Sequence, residues 1–205
     1  MRSLKSMLLS EAEEFFKNVG GNIAHPKDKK ELINEIRIRL DRGQYNLNDI
    51  DTSEITDMSF LFKGFIHYDL SKLDISKWDV SKVTDTRFMF SRCESFNSDL
   101  SKWDVSSVKD MEGMFANCKK FNSDLSKWDV SNVEKMGSMF DDCVNFNSDL
   151  SNWNVSNVED MCEMFSGCQT FNSDLSKWDV SSVGDMEGMF DGCKSLKKIP
   201  SWYMN

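Results

Sequence analysis

The sequence predicts an α/β repeat solenoid, with one short parallel strand and one helical turn in each 25-residue rung behind an α-helical N-terminal cap. Three observations predict it. Trp78, Trp103, Trp128, Trp153 and Trp178 recur every 25 residues, as do Phe90, Phe115, Phe140, Phe165 and Phe190, and Cys93, Cys118, Cys143, Cys168 and Cys193. Within a unit the apolar positions follow two periods. Trp103 and Val105 alternate with Lys102, Asp104 and Ser106, the pattern of a strand buried on one face. Val108, Met111, Met114, Phe115 and Cys118 then keep the three-and-four spacing of a helical turn. Finally, a unit this short buries no core alone, so neighbouring units must cover one another.

Residues 1–46 read as a helical cap. Leu4, Leu8, Ala12, Phe15, Phe16 and Val19 form one stripe, closed by Gly20-Gly21. Pro26 is placed as the first residue of a second helix that carries Leu32, Ile33, Ile36 and Leu40 and stops at Gly43. The cap is expected to cover the apolar end of the array; an amphipathic docking segment is the rival reading.

The array of about six rungs spans 47–192, from a degenerate unit with Leu47, Ile50, Ile55, Met58, Leu61 and Phe62. Phe62 and Phe90 are 28 residues apart, so this rung carries three extra residues around Gly64–Tyr68. The phrase Phe-Asn-Ser-Asp-Leu, beginning at Phe96, Phe121, Phe146 and Phe171, supplies bends whose Asn and Asp side chains are expected to bond backbone groups. Residues 193–205 make a C-terminal cap, in which Pro200 withholds a donor and Trp202 and Tyr203 cover the last rung.

Charge narrows the function. The formal net charge is −9, and the first 46 residues hold 9 Lys and Arg against 7 Asp and Glu, so the array is strongly acidic. This balance argues against a basic grip on nucleic acid or on an anionic membrane, and no direct nucleic-acid contact is expected. No apolar run is long enough for a signal peptide or a membrane span, which predicts a cytoplasmic protein. Only two His argue against an enzyme: His25, before Pro26, is read as part of the helix entry, and His67 has no second His or coherent acid nearby and carries no catalytic constellation. The six Cys include no Cys-x-x-Cys pair and read as a buried ladder with Cys162 off it. Asp99, Asp124, Asp149 and Asp174 lie in bends without the glycine pattern of calcium rolls, so no cofactor or metal is expected.

The candidate binding residues lie on the expected strand face. One column is Asp79, Asp104, Asp129, Asn154 and Asp179; beside it run Lys77, Lys102, Lys127, Asn152 and Lys177, whose charges are expected to offset it. Repeat arrays bind along such faces, so a protein partner is the leading expectation. The alternative is an acidic inhibitor that imitates nucleic acid on a basic protein.

The phrase Phe-Asn-Ser-Asp-Leu-Ser-Lys-Trp-Asp-Val-Ser, with the following Met-x-x-Met-Phe-x-x-Cys, resembles the 25-residue repeat of the BspA-type leucine-rich-repeat surface protein family. Gly192-Cys193-Lys-Ser-Leu196 through Tyr203 is similar to that family's terminal segment. The resemblance covers about residues 47–203. It implies a leucine-rich-repeat-like fold and macromolecular binding, with a bacterial surface adhesin as a further alternative. No leader or lipid-attachment cysteine is expected from the opening residues, a departure from the family's surface pattern.

Overall fold

A computed structural model describes residues 24–204. The expected helix over Leu4–Val19 lies outside them. Among the described residues one α-helix, α1, spans Lys29–Asp41, and short 3-10 turns occupy Leu70–Lys72 and Ser201–Met204. The helix starts at Lys29 and not at Pro26, because Asp28 is extended and its carboxylate accepts the N–H of Glu31, satisfying one of the first-turn donors. It ends at Arg42 and Gly43, whose φ of 72° suits glycine. Leu32, Ile36 and Leu40 face the core.

The expected strand-plus-helix solenoid, and with it the leucine-rich-repeat-like rung, is overturned. The described residues hold no strand and no helix beyond α1; the repeats are successions of turns joined by isolated parallel bridges. These bridges link Asp57, Asp85, Asp110, Lys135, Asp160 and Asp185, six residues beyond the expected strand column.

Backbone hydrogen bonds explain the difference. In the stretch expected to be helical, N–H groups alternate between two kinds of acceptor. Met111, Gly113, Phe115 and Asn117 donate to the next unit, at the carbonyls of Lys135, Gly137, Met139 and Asp141 (2.7–2.9 Å). Met114, Ala116 and Cys118 donate back three residues within their own unit. The alternation needs left-handed residues, here Gly113 (φ 56°) and Asn117 (φ 62°), which no α-helix accommodates. A three-and-four spacing of apolar residues is common to a helix and to a series of three-residue turns, so the pattern alone does not separate them. Trp103 and Val105 do alternate with exposed neighbours, but the segment is broken by turns, with Trp103 N–H donating to Leu100 O and Val108 N–H to Val105 O.

Side-chain ladders stack the units. Phe62, Phe90, Phe115, Phe140, Phe165 and Phe190 form one column with centroids 5.0–5.9 Å apart. Phe96, Phe121, Phe146 and Phe171 form a second, meeting the first at 4.0–4.2 Å. Each such pair adds about 0.5–1.5 kcal/mol beyond its buried area. Every Trp of the column donates its indole N–H across a unit boundary: Trp103 to Ile75 O, Trp128 to Leu100 O, Trp153 to Leu125 O. Trp202 continues the series, stacking on Trp178 and donating to Leu175 O.

The repeat phrase now has a physical account. Its Asn accepts the N–H of the next unit's Asn, as Asn97 does from Asn122 and Asn122 from Asn147. Its Ser is buried and accepts from the preceding unit, Ser123 from Leu100 N–H and Ser148 from Leu125 N–H. Its Asp closes a local turn, Asp99 on Ser101 and Asp124 on Ser126. The cysteines are free, and Cys118, Cys143 and Cys168 point their thiols at Phe90 O, Phe115 O and Phe140 O. Burial pushes the Cys93 thiol up to about 12 and raises those of Cys118, Cys143 and Cys168, so these groups are structural.

Candidate binding faces

All ten residues singled out in the sequence, Lys77, Asp79, Lys102, Asp104, Lys127, Asp129, Asn152, Asn154, Lys177 and Asp179, are exposed and lie in the same two columns. The acidic column has a structural task. Asp79, Asp104, Asp129 and Asp179 each accept the N–H of the Ser two residues on, at 3.0–3.1 Å. Asn154 does the same for Ser156, so the Asp-to-Asn change of that unit keeps the turn and removes only charge. Among the described residues no ion pair joins the Lys column to this one. Lys102, Lys127 and Lys177 act on the carboxylates three residues before them, Asp99, Asp124 and Asp174.

Two classes of carboxylate set an acid response. In Asp79, Asp99, Asp124, Asp129 and Asp179 the Ser hydroxyl and then the Ser N–H hold the carboxyl below its ordinary value. In Asp110, Glu112 and Asp141 burial raises it, helped by neighbouring carboxylates. The raised groups take up protons more readily folded than unfolded, so they favour the fold as the pH drops from neutral. The depressed groups stabilise above the unfolded Asp value of about 3.9 and lose that contribution as the pH falls through their folded values. Urea midpoints between pH 3 and 8 are therefore expected to peak in mildly acidic solution and to fall below about pH 4; a midpoint rising steadily to pH 8 would contradict this balance.

The bridged face carries a different feature at its N-terminal end. Phe60 and Ile66 are 41% and 49% exposed, where nearly every other large apolar side chain of the array is covered. Phe60 stacks on Phe88 at 5.2 Å, and the Phe88 ring lies against Gly113, where a Cβ would come within 2.2 Å of it. Lys63 sits 5.2 Å over the Phe60 ring. With Ser91 and Arg92 these residues line a groove of 380 Å3 that shares Ile66 and Arg92 with a neighbouring hollow of 490 Å3 bounded by Tyr68, Glu94 and Asn117. Among the described residues neither Lys63 nor Arg92 forms an ion pair, whereas Arg87 is held by Asp85 and Glu94 by Lys119. The groove was missed in the sequence. Its signal was an apolar residue outside the core columns: Phe60 and Phe88 occupy the place of Gly113, Ser138, Glu163 and Gly188 in later units. The three-residue expansion that supplies Ile66 was visible.

His67 is exposed, and its ring lies 6.2 Å from Tyr68. Among the described residues no group of three or more His, Cys, Asp or Glu side chains is placed to hold a metal ion, and no helix is long and apolar enough to cross a membrane.

No curated protein and no solved structure matches the chain. A family model described as Mycoplasma protein of unknown function, DUF285, matches residues 32–145 and again 123–205, the two passes overlapping within the repeats. Together they take in the ladders, the groove and the C-terminal turn, and the chain belongs to that family of unknown function.

Proposed function

We propose that this protein is a non-catalytic module that binds another protein, with the Phe60–Phe88 groove as its docking site. The observation that carries the reading is the exposed Phe60 ring, stacked on the half-buried Phe88 along the groove. Phe60 and Phe88 are left-handed, at φ 55° and 50°. An L-residue there costs about 1–2 kcal/mol; the equivalent Ser138 and Glu163 bear it as well, at φ 52° and 54°, while Gly113 and Gly188 avoid it. The strain therefore does not single out the aromatics; the 41% exposure of the Phe60 ring does, since an exposed aromatic beside a groove is the kind of side chain that anchors a partner.

Phe60→Gly separates the two roles. Stability is expected to stay level or rise by up to about 1 kcal/mol, while affinity for a saturable partner isolated with the unmodified protein falls by at least about tenfold. Unchanged affinity would remove the groove from the reading. The exposed Asp column is a second candidate face, and Asp79, Asp104, Asp129 and Asp179 changed together to Asn test its charge without breaking the turns, as Asn154 shows. The repeat phrase also supports a finer kinship with BspA-type surface proteins, which would place the partner outside the cell; recovery of the protein from a washed cell surface tests it.

A further inference from the structure

The bridged ladder has polarity. Each unit's N–H groups at four alternate positions donate forward, and its carbonyls at the neighbouring positions accept from behind. In the last pairing Met161, Glu163, Phe165 and Gly167 donate to Asp185 O, Glu187 O, Met189 O and Asp191 O. The final rung therefore has those carbonyls filled. Its own four forward N–H groups, on Met186, Gly188, Phe190 and Gly192, have no acceptor among the described residues. An ordinary sheet edge alternates donors and acceptors and can pair with a copy of itself. From Met186 to Gly192 this edge offers donors alone, so symmetric self-pairing over those residues would bring N–H against N–H; one open acceptor precedes them at Gly184 O, the equivalent of the Lys109, Glu134 and Glu159 carbonyls that accept from the next unit.

The opposite end of the ladder is closed. Helix α1 runs along the first rung, with Lys29 Nζ bound to Asp57 Oδ2, Ser59 Oγ and Ser59 O at one end and Asp41 accepting from Tyr68 Oη at the other. At the C-terminal end Trp202 and Tyr203 pack on Phe190 and cover the apolar columns, yet give no acceptor to the four N–H groups. On the acceptor side Ser59 O is filled by Lys29, and α1 lies across the approach of a second copy adding head to tail.

Charge selects among the remaining occupants. Asp185, Glu187 and Asp191 are exposed along this rung, with Glu163 behind them. Their field is felt by neighbouring groups: after burial, the charges of Asp185, Glu163, Asp160 and Glu187 raise the Cys162 thiol, and Asp191 and Glu187 raise Tyr203. A free anion would find the donors but meet these carboxylates. A peptide backbone brings neutral carbonyl acceptors, and Lys or Arg side chains on it match the acidic flank.

We propose that the 185–192 edge takes an extended, basic segment of a partner protein as an added rung, its carbonyls accepting from Met186, Gly188, Phe190 and Gly192. This is backbone pairing of the β-augmentation kind, made specific by a run of four donors. It is independent of the Phe60 groove.

Amide hydrogen exchange read by NMR on the full chain tests it. In the free protein the Phe190 amide is expected to exchange at least about tenfold faster than Phe165, its bonded equivalent one unit earlier. A peptide alternating Lys and Val, long enough to span 185–192, is expected to slow the four edge amides, and a Glu–Val peptide is not. The effect is expected to persist in Phe60→Gly and to weaken in the triple variant Asp185→Asn, Glu187→Gln, Asp191→Asn. Slow exchange of Phe190 in the free protein would show a closed edge and overturn the proposal. So would no slowing by the Lys–Val peptide, or slowing by the Glu–Val peptide or by inorganic phosphate.

Discussion

Phe115→Ala is expected to cost about 3–5 kcal/mol, the largest loss available from one truncation in this chain. Phe115 is fully buried at the centre of the stack. It meets Phe90 at 5.6 Å, Phe121 at 4.0 Å and Phe140 at 5.7 Å, with Trp128 tilted against it at 6.3 Å. The ring thus joins three successive units, and the cavity left behind is walled by rigid aromatics that cannot collapse into it. In a repeat array stability is close to a sum of unit and nearest-neighbour terms, so a central loss divides the array. Denaturant unfolding followed by tryptophan fluorescence should show a lower midpoint and a broadened transition. Phe190→Ala, at the last unit and already 8% exposed, is expected to cost less. Equal costs for the two would contradict the nearest-neighbour account.

Gly167→Val is expected to destabilise by about 2–4 kcal/mol, combining overpacking with a branched side chain at left-handed φ. Gly167 has φ 69°. That angle alone does not demand glycine, because Arg92, Asn117 and Asp142 hold equivalent positions at φ 53–65°. The difference is proximity: a Cβ on Gly167 would lie 2.3 Å from Asp142 Oδ1 and 3.1 Å from its Cα, and the latter is main chain. Gly64→Ala is the control, since nothing lies within 4 Å of its added Cβ, and its effect should stay near zero. Thermal melts of the two variants decide the matter; a Gly167→Val melting point at the unmodified value would mean that Asp142 moves aside freely.

The register of the stack was legible in the sequence because its period is an unbroken integer. Residues such as Trp103, Phe115 and Cys118 could be assigned to interior columns before any backbone was known, and they occupy them. The bends at Asn97–Asp99 and their equivalents were legible for a chemical reason, since Asn, Ser and Asp compete for local backbone donors. The same chemistry defeated the strand: Asp99 and Asp104 each fold the chain onto a nearby Ser N–H. The helix failed through ambiguity, because Val108, Met111, Met114, Phe115 and Cys118 fall on one side of a helix or of a run of tight turns alike.

By itself the sequence determined which residues form the interior and at what spacing the units repeat, for a strict 25-residue recurrence of Trp, Phe and Cys has a stacked interior as its simple consequence. Tertiary structure alone decided the path of the backbone between those points. The N–H groups of Met111, Gly113, Phe115 and Asn117 find their acceptors 24 residues further along, and a bond to the next unit is invisible in any window of one. The same long-range bonding places Phe60 and Phe88 on the surface and leaves four donors open at Met186–Gly192, so both proposed docking sites arise from how the units are joined.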